Sequence, residues 1–295
     1  MKKILFMLLA IVFFDAHLAA SPFIKGGRPA IHLEDISEFY FDADPGLGIS
    51  DVSAEVNSSR FTPVAGRMIW VGKKAPAAWL RFVVPTSELA NGHDGAEGSK
   101  SLSQWLLVVR PSFSIILDHV DFFVPRGDGS FDEIRSGAKA AVWPSEPQSR
   151  FFAFELPSGA FEGKPCYLRL SSETDVEVNF DIETSVGFGQ SEGLSYIVYG
   201  IIYGILLAMV LYSFFLLLSL KDVTYLYYIL YVVSAGLWLF FLQGHAKLIF
   251  GQIPNFDQAM LWLWAGSMIT WGAVFTASFL RMKESQLFLF RMLIV

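Results

Sequence analysis

Residues Tyr196–Leu220 read YIVYGIIYGILLAMVLYSFFLLLSL, 25 positions without a charge, of which only Ser213 and Ser219 are plainly polar. As a helix this run rises about 37 Å, enough to cross a hydrocarbon core of about 30 Å. Tyr225–Leu242 (18 residues) and Met260–Leu280 (21 residues) are also charge-free, and a further apolar run starts at Leu287 and is still apolar at Val295. Three such runs in one hundred residues predict an α-helical polytopic membrane domain over 196–295, with spans at 196–220, 225–242 and 260–280 and the start of a fourth at 287.

Outward from these spans the composition changes abruptly. Residues 21–190 carry 23 Asp+Glu and 15 Lys+Arg, whereas residues 191–295 carry only four acids and five bases. A step of that size marks a change of solvent. The acidic outer portion has no basic face for phosphate, so nucleic acid is excluded as a partner.

At the other end, Met1-Lys2-Lys3 is followed by an apolar run, Ile4–Phe14, and by the small residues Ala19-Ala20-Ser21. Eleven helical residues span only about 16 Å. The pattern predicts a signal peptide over 1–20 rather than an anchor. Export then places 21–185 outside, 186–195 as a short linker, and the first span running outside to inside. Lys221, Arg281 and Lys283 fall on the inner side and Lys247 on the outer, a weak positive-inside bias that agrees.

Between residues 30 and 185 short alternating runs recur. They are Met68–Val71, Ala78–Val84, Trp105–Val109, Leu117–Val124, Phe131–Ile134, Phe151–Leu156, Cys166–Leu170 and Val176–Ile182, each bounded by Gly, Pro, Asp or Ser. Eight strands without a convincing helix predict a β-sandwich or jelly roll. Arg126-Gly127-Asp128-Gly129 reads as a hairpin turn with positive φ at Asp128 and Gly129. Cys166, the single cysteine, reads as a small buried apolar residue on a strand.

The chemistry-bearing residues are sparse. His32, His93, His119 and His245 lack metal-ligand spacing, and there is no nucleophile elbow, HExxH or phosphate loop. Asp42-x-Asp44-x-Gly46 faintly resembles a calcium loop but lacks the downstream acid. No metal, cofactor or catalytic residue is assigned. Aromatic rings can stack on sugar rings while Arg or carboxylate groups bind hydroxyls. On that basis the ligand-binding candidates are Trp143 in a Pro-containing loop, Arg81 and Trp79 on one strand, Arg110 and Arg150, although Trp79 and Trp105 each begin an apolar strand and read first as core. Gly200, Gly204 and Ala208 form a small-residue stripe for helix packing, within one bundle or across a homodimer. Ser267, Thr270 and Thr276 are expected to bond across helices. No ionisable group lies inside a span, which disfavours a pump or transporter.

Tyr199-Gly200-x-x-x-Gly204-Ile205-Leu206-Leu207-Ala208-Met209, followed by Leu220-Lys221-Asp222-x-x-Tyr225-Leu226-Tyr227-Tyr228 and by Gly244 after the second span, resembles the bacterial seven-transmembrane receptors with diverse intracellular signalling modules (7TMR-DISM). The outer half, through Ala78-Trp79-Leu80-Arg81-Phe82, Asp121-Phe122-Phe123-Val124-Pro125 and Gly127-Asp128-Gly129, is similar to that family's extracellular jelly-roll domain of the 7TMR-DISMED2 type. The resemblance implies a multi-pass sensory receptor of a bacterial inner membrane with a periplasmic domain. That domain would bind a small molecule, carbohydrate being the leading class. Seven helices would relay to a cytoplasmic output module, which this sequence does not contain. The competing reading is a membrane-anchored glycan-binding or envelope-assembly protein. In either case the lipid bilayer is a partner.

Overall fold

In the computed structural model the described residues are 30–33, 37–42, 46–54, 59–64, 69–72, 77–84, 105–111, 117–139, 149–156, 163–250, 253 and 255–280. The expected signal peptide and the fourth apolar run lie outside them.

The outer portion is a two-sheet antiparallel sandwich. Its elements in order are β1 (Ala30–His32), β2 (Ser37–Asp42), α1 (Ile49–Val52), β3 (Thr62–Pro63), β4 (Ile69–Val71), β5 (Ala77–Val83), β6 (Trp105–Pro111), β7 (His119–Pro125), β8 (Phe131–Ser136), β9 (Phe152–Glu155), β10 (Pro165–Ser171) and β11 (Val176–Thr184). One sheet runs β3-β2-β5-β10-β7-β8. The other runs β1-β11-β6-β9, with β4 sharing the β1 edge of β11. All eight predicted strands are present, with ends shifted by one or two residues. β1, β2, β3 and the single-turn α1 are additions. In β2, SEFYFD, Phe39 packs on the main core while Tyr40 belongs to the opposite face. Aromatic residues on both faces conceal the period of two.

Alternation along β11 is strict, with Val176, Val178, Phe180, Ile182 and Thr184 buried and the intervening residues half-exposed. Those apolar residues meet Leu80, Phe82, Val120, Phe122, Leu168 and Leu170 of the other sheet in one core. Phe122 packs on Phe82 in its own sheet at 6.4 Å and on Phe154 in the opposite sheet at 5.6 Å, between ring centroids. Each such buried side chain contributes about 1.5–3 kcal/mol relative to exposure. Cys166 sits in this core, where burial pushes its thiol up to about 12 and leaves it unreactive.

The β7–β8 hairpin differs from expectation. Only Gly129 has positive φ (+88°); Asp128 does not. Asp128 instead accepts hydrogen bonds at Oδ1 from the Ser130 amide (2.9 Å) and hydroxyl (2.6 Å), and the Gly129 amide donates to the Arg126 carbonyl at 3.3 Å. A local side-chain bond does the work assigned to a second left-handed residue.

The remaining helices are α2 (Ser185–Leu220), α3 (Thr224–Leu242), α4 (His245–Phe250) and α5 (Phe256–Phe279). α2, α3 and α5 are each long and apolar enough to cross a membrane. Residues 186–195, expected as a linker, form the first turns of α2. α3 packs along α5 through Tyr227 stacked on Trp271 at 6.3 Å and Tyr228 against Phe275 at 5.1 Å. Two hydroxyl pairs, Thr224–Ser278 and Ser234–Ser267, bridge them at 2.9 Å. Ser267 thus bonds across helices as expected. Thr270 and Thr276 do not: each donates to the carbonyl four residues back, Gly266 and Gly272, because that acceptor is already within reach in a helix. A Cβ at Gly200 or Gly204 would meet no described atom within 4 Å.

Candidate ligand face and strand-to-helix joint

Register assembles a polar and aromatic surface on the outer face of the six-stranded sheet. One row across β2, β5, β10, β7 and β8 is Tyr40, Trp79, Arg169, Asp121, Arg135; the next is Glu38, Arg81, Tyr167, Phe123, Glu133. Residues two apart on a strand share a face, so these side chains lie opposite the core set. α1 and Phe61 fold onto them: Val52, Phe61, Trp79, Phe123 and Tyr167 form a second, smaller apolar cluster.

Within this layer charge alternates with rings. Trp79 stacks on Phe123 at 5.5 Å, and the Arg169 guanidinium lies 5.7 Å from the Trp79 ring. Arg169 Nη1 approaches Asp121 Oδ2 at 3.6 Å. Arg81 donates from Nε to Glu38 Oε2 at 2.7 Å, with a second contact from Nη2, and lies over Phe61 at 4.4 Å. Two polar atoms here are buried and have no hydrogen-bond partner among the described residues, Trp79 Nε1 and Asp121 Oδ1; the residues are 1% and 4% exposed. Burial raises the Asp121 carboxyl above its ordinary range, against the lowering influence of His119 and Arg169.

The expected site residues divide between the two sheets. Arg81 and Trp79 lie together on this face. Arg110 lies on β6 of the other sheet and Arg150 just ahead of β9, and both guanidinium groups approach the Phe151 ring, at 5.5 and 4.5 Å. Trp143 lies outside the described residues. Asp42 ends β2, buried, and Asp44 also lies outside the described residues. Asp121, Phe123, Tyr167 and Arg169 share this face and are not among the residues expected from the sequence; their strand parity, shared with Trp79 and Arg81 once register is known, places them there.

Arg110 belongs to a second arrangement. It stands opposite Asn179 on β11 and donates to both Glu183 oxygens, Nη1 to Oε1 at 2.8 Å and Nη2 to Oε2 at 3.0 Å, and to Asp181 Oδ2 at 3.4 Å. β11 passes into α2 without an intervening residue. Thr184 Oγ1 accepts the Gly187 amide at 3.1 Å, which satisfies one of the free N–H groups at the helix start. Phe188 on the first turn is 3% exposed and packs on Leu106, Val108 and Ala153, with the Arg110 guanidinium 5.7 Å from its ring. One arginine therefore holds the end of the last strand and caps the ring that docks the first helix.

A family model described as 7TMR-DISM extracellular 2 matches residues 35–184, and one described as 7TM diverse intracellular signalling matches residues 195–295. The chain belongs to the 7TMR-DISM receptor family. No curated protein matches the chain. As a 7TMR-DISM protein it is a sensory transmembrane receptor whose N-terminal domain is extracellular. The sandwich corresponds to the extracellular module and α2–α5 to the membrane module. Arg110 and Glu183 lie within the first match and Phe188 just past its end, and the 7TMR-DISM membrane match begins within α2.

Proposed function

We propose that this receptor sits in a bacterial inner membrane, takes up a small polar ligand on the outer face of the six-stranded sheet, and relays the event through α2 to a cytoplasmic output module. Carbohydrate is the ligand class favoured by the half-exposed Tyr40 ring beside Arg81, Glu38 and Arg169. The observation that carries the relay is the joint itself. Arg110 contacts Asp181, Glu183 and the Phe188 ring at once, so a change in sheet twist is felt at the first turn of α2. A ligand shifts such an equilibrium only if it favours one arrangement over the other.

The test is thermal unfolding combined with amide exchange of the full chain in nanodiscs, against a panel of mono- and oligosaccharides. A binding sugar at 100 times its Kd is expected to add about 2.7 kcal/mol of stability. It is also expected to change protection at residues 185–191, and Arg110→Ala is expected to keep the first effect and lose the second. Stabilisation with no change at 185–191 in the wild type would favour the anchored glycan-binding reading. No response to any sugar would sink the carbohydrate class.

A further inference from the structure

Gly244, at φ +71°, turns the chain sharply after α3 and sets His245 at the start of α4. A side chain at that φ is strained, so the turn selects glycine. His245 is 7% exposed and enclosed by rings from two helices. From α2, Tyr196, Tyr199 and Tyr203 lie at 6.0, 5.0 and 5.7 Å, and from α3 Phe240 stacks at 6.0 Å. The Tyr203 hydroxyl is 3.2 Å from Nδ1. Tyr196 in turn donates to the buried Glu192 carboxylate at 3.2 Å. Imidazole is the one side chain whose ordinary titration falls between pH 5 and 8.

We propose that His245 is a proton-operated latch between α2 and the α3–α4 turn, closed more tightly when the imidazole is protonated. The Tyr203 bond survives protonation: neutral Nδ1 accepts the hydroxyl hydrogen, whereas protonated Nδ1–H donates to the hydroxyl oxygen, now with charge assistance. The four surrounding rings pack on the neutral imidazole and attract it further as a cation. The charged and titratable groups around the latch act in both directions. On α2, Glu192 favours the cation, and Tyr196, Tyr199 and Tyr203 present rings and hydroxyls. α3 presents Phe240 and no charge at this point. On α4, Lys247 opposes the cation, weakened because burial holds its ammonium down to about 8; Asp257 of α5 attracts that ammonium. Burial of His245 opposes the charge; in return protonation gains ring contacts and a carboxylate one ring away, and loses no hydrogen bond. Nothing in this depends on what the outer domain binds.

The experiment is amide exchange on the full chain in nanodiscs at pH 5.5 and pH 8, corrected for the intrinsic pH dependence of exchange. Protection over residues 196–206 and 240–248 is expected to rise at least threefold at the acid pH. His245→Gln, which keeps a polar group but cannot titrate, is expected to show no rise, and Tyr203→Phe a smaller one. A flat wild-type response, or the same rise in His245→Gln, would overturn the proposal. Should His245→Gln fail to fold, exchange of the imidazole C2 proton, read residue by residue by mass spectrometry, decides in the wild type. An inflection for His245 between pH 5 and 8, coincident with the protection change, supports the latch, and its absence overturns it.

Discussion

Arg110 and Glu183 form a two-pronged ion pair across β6 and β11, with both nitrogen–oxygen distances at or below 3.0 Å. Both side chains are largely shielded, 22% and 15% exposed. Removing the arginine leaves two shielded carboxylates, Asp181 and Glu183, without their shared cation. Arg110→Ala is expected to lower stability of the outer domain by about 2 kcal/mol. Arg110→Lys should recover only part, because an ammonium cannot reproduce the planar fork. Urea unfolding followed by tryptophan fluorescence measures both; equal midpoints for the alanine and wild-type chains would refute the assignment.

The sandwich depends on Phe122 touching rings in both sheets. Phe122→Ala is expected to cost about 3–5 kcal/mol through lost burial and a residual cavity. Trp70, 58% exposed on β4, is the control: Trp70→Ala should move the midpoint little.

Two glycines are required by close approach. A Cβ on Gly72 would lie 2.6 Å from Asp175 Cα, and one on Gly137, at φ +119°, 2.7 Å from His119 Cα. Backbone cannot yield as a side-chain end does. Gly72→Ala and Gly137→Ala are each expected to destabilise by about 3 kcal/mol. Gly127→Ala, with nothing within 4 Å, should be near neutral in the same unfolding assay.

Asp121 supplies a pH dependence whose sign is definite. Burial lifts its folded-state pKa above the ordinary 3.8. The folded chain thus holds the proton more tightly than the unfolded chain. That contribution is fully present below the unfolded value and is lost as pH rises through the folded one. At neutral pH the ionised carboxylate is a burden. Asp121→Asn is expected to unfold at higher temperature than wild type at pH 7, with the advantage disappearing below about pH 4. A gain that grows toward acid would contradict the burial argument.

The hydroxyl pairs between α3 and α5 test the membrane portion. Ser234→Ala is expected to weaken helix association by about 0.6 kcal/mol, and Ser234→Ala with Ser267→Ala by no more than the single change, since the same one interhelical bond is lost in each case. Thr270→Ala should be silent, because its hydroxyl serves its own helix.

The amino-acid sequence alone established the membrane spans and the sandwich, for a reason rooted in solvent. Lipid tolerates no charge over some twenty residues, and a half-buried strand alternates every second residue; both are properties of neighbours along the chain. Cys166 could be placed in the core in the same way. β2 could not be read so, because Phe39 and Tyr40 face opposite ways and are both aromatic. The ligand face needed the fold. Trp79, Arg169 and Asp121 are separated by 42 or more positions, and only the register of β5, β10 and β7 makes them neighbours. Arg110 reads as a ligand-binding candidate until β11 brings Glu183 to it, and His245 reads as a lone loop histidine until three tyrosines of α2 surround it. Burial and periodicity are local and legible in one dimension; pairing between distant groups is decided when the chain closes on itself, where strand register and helix contacts set the distances.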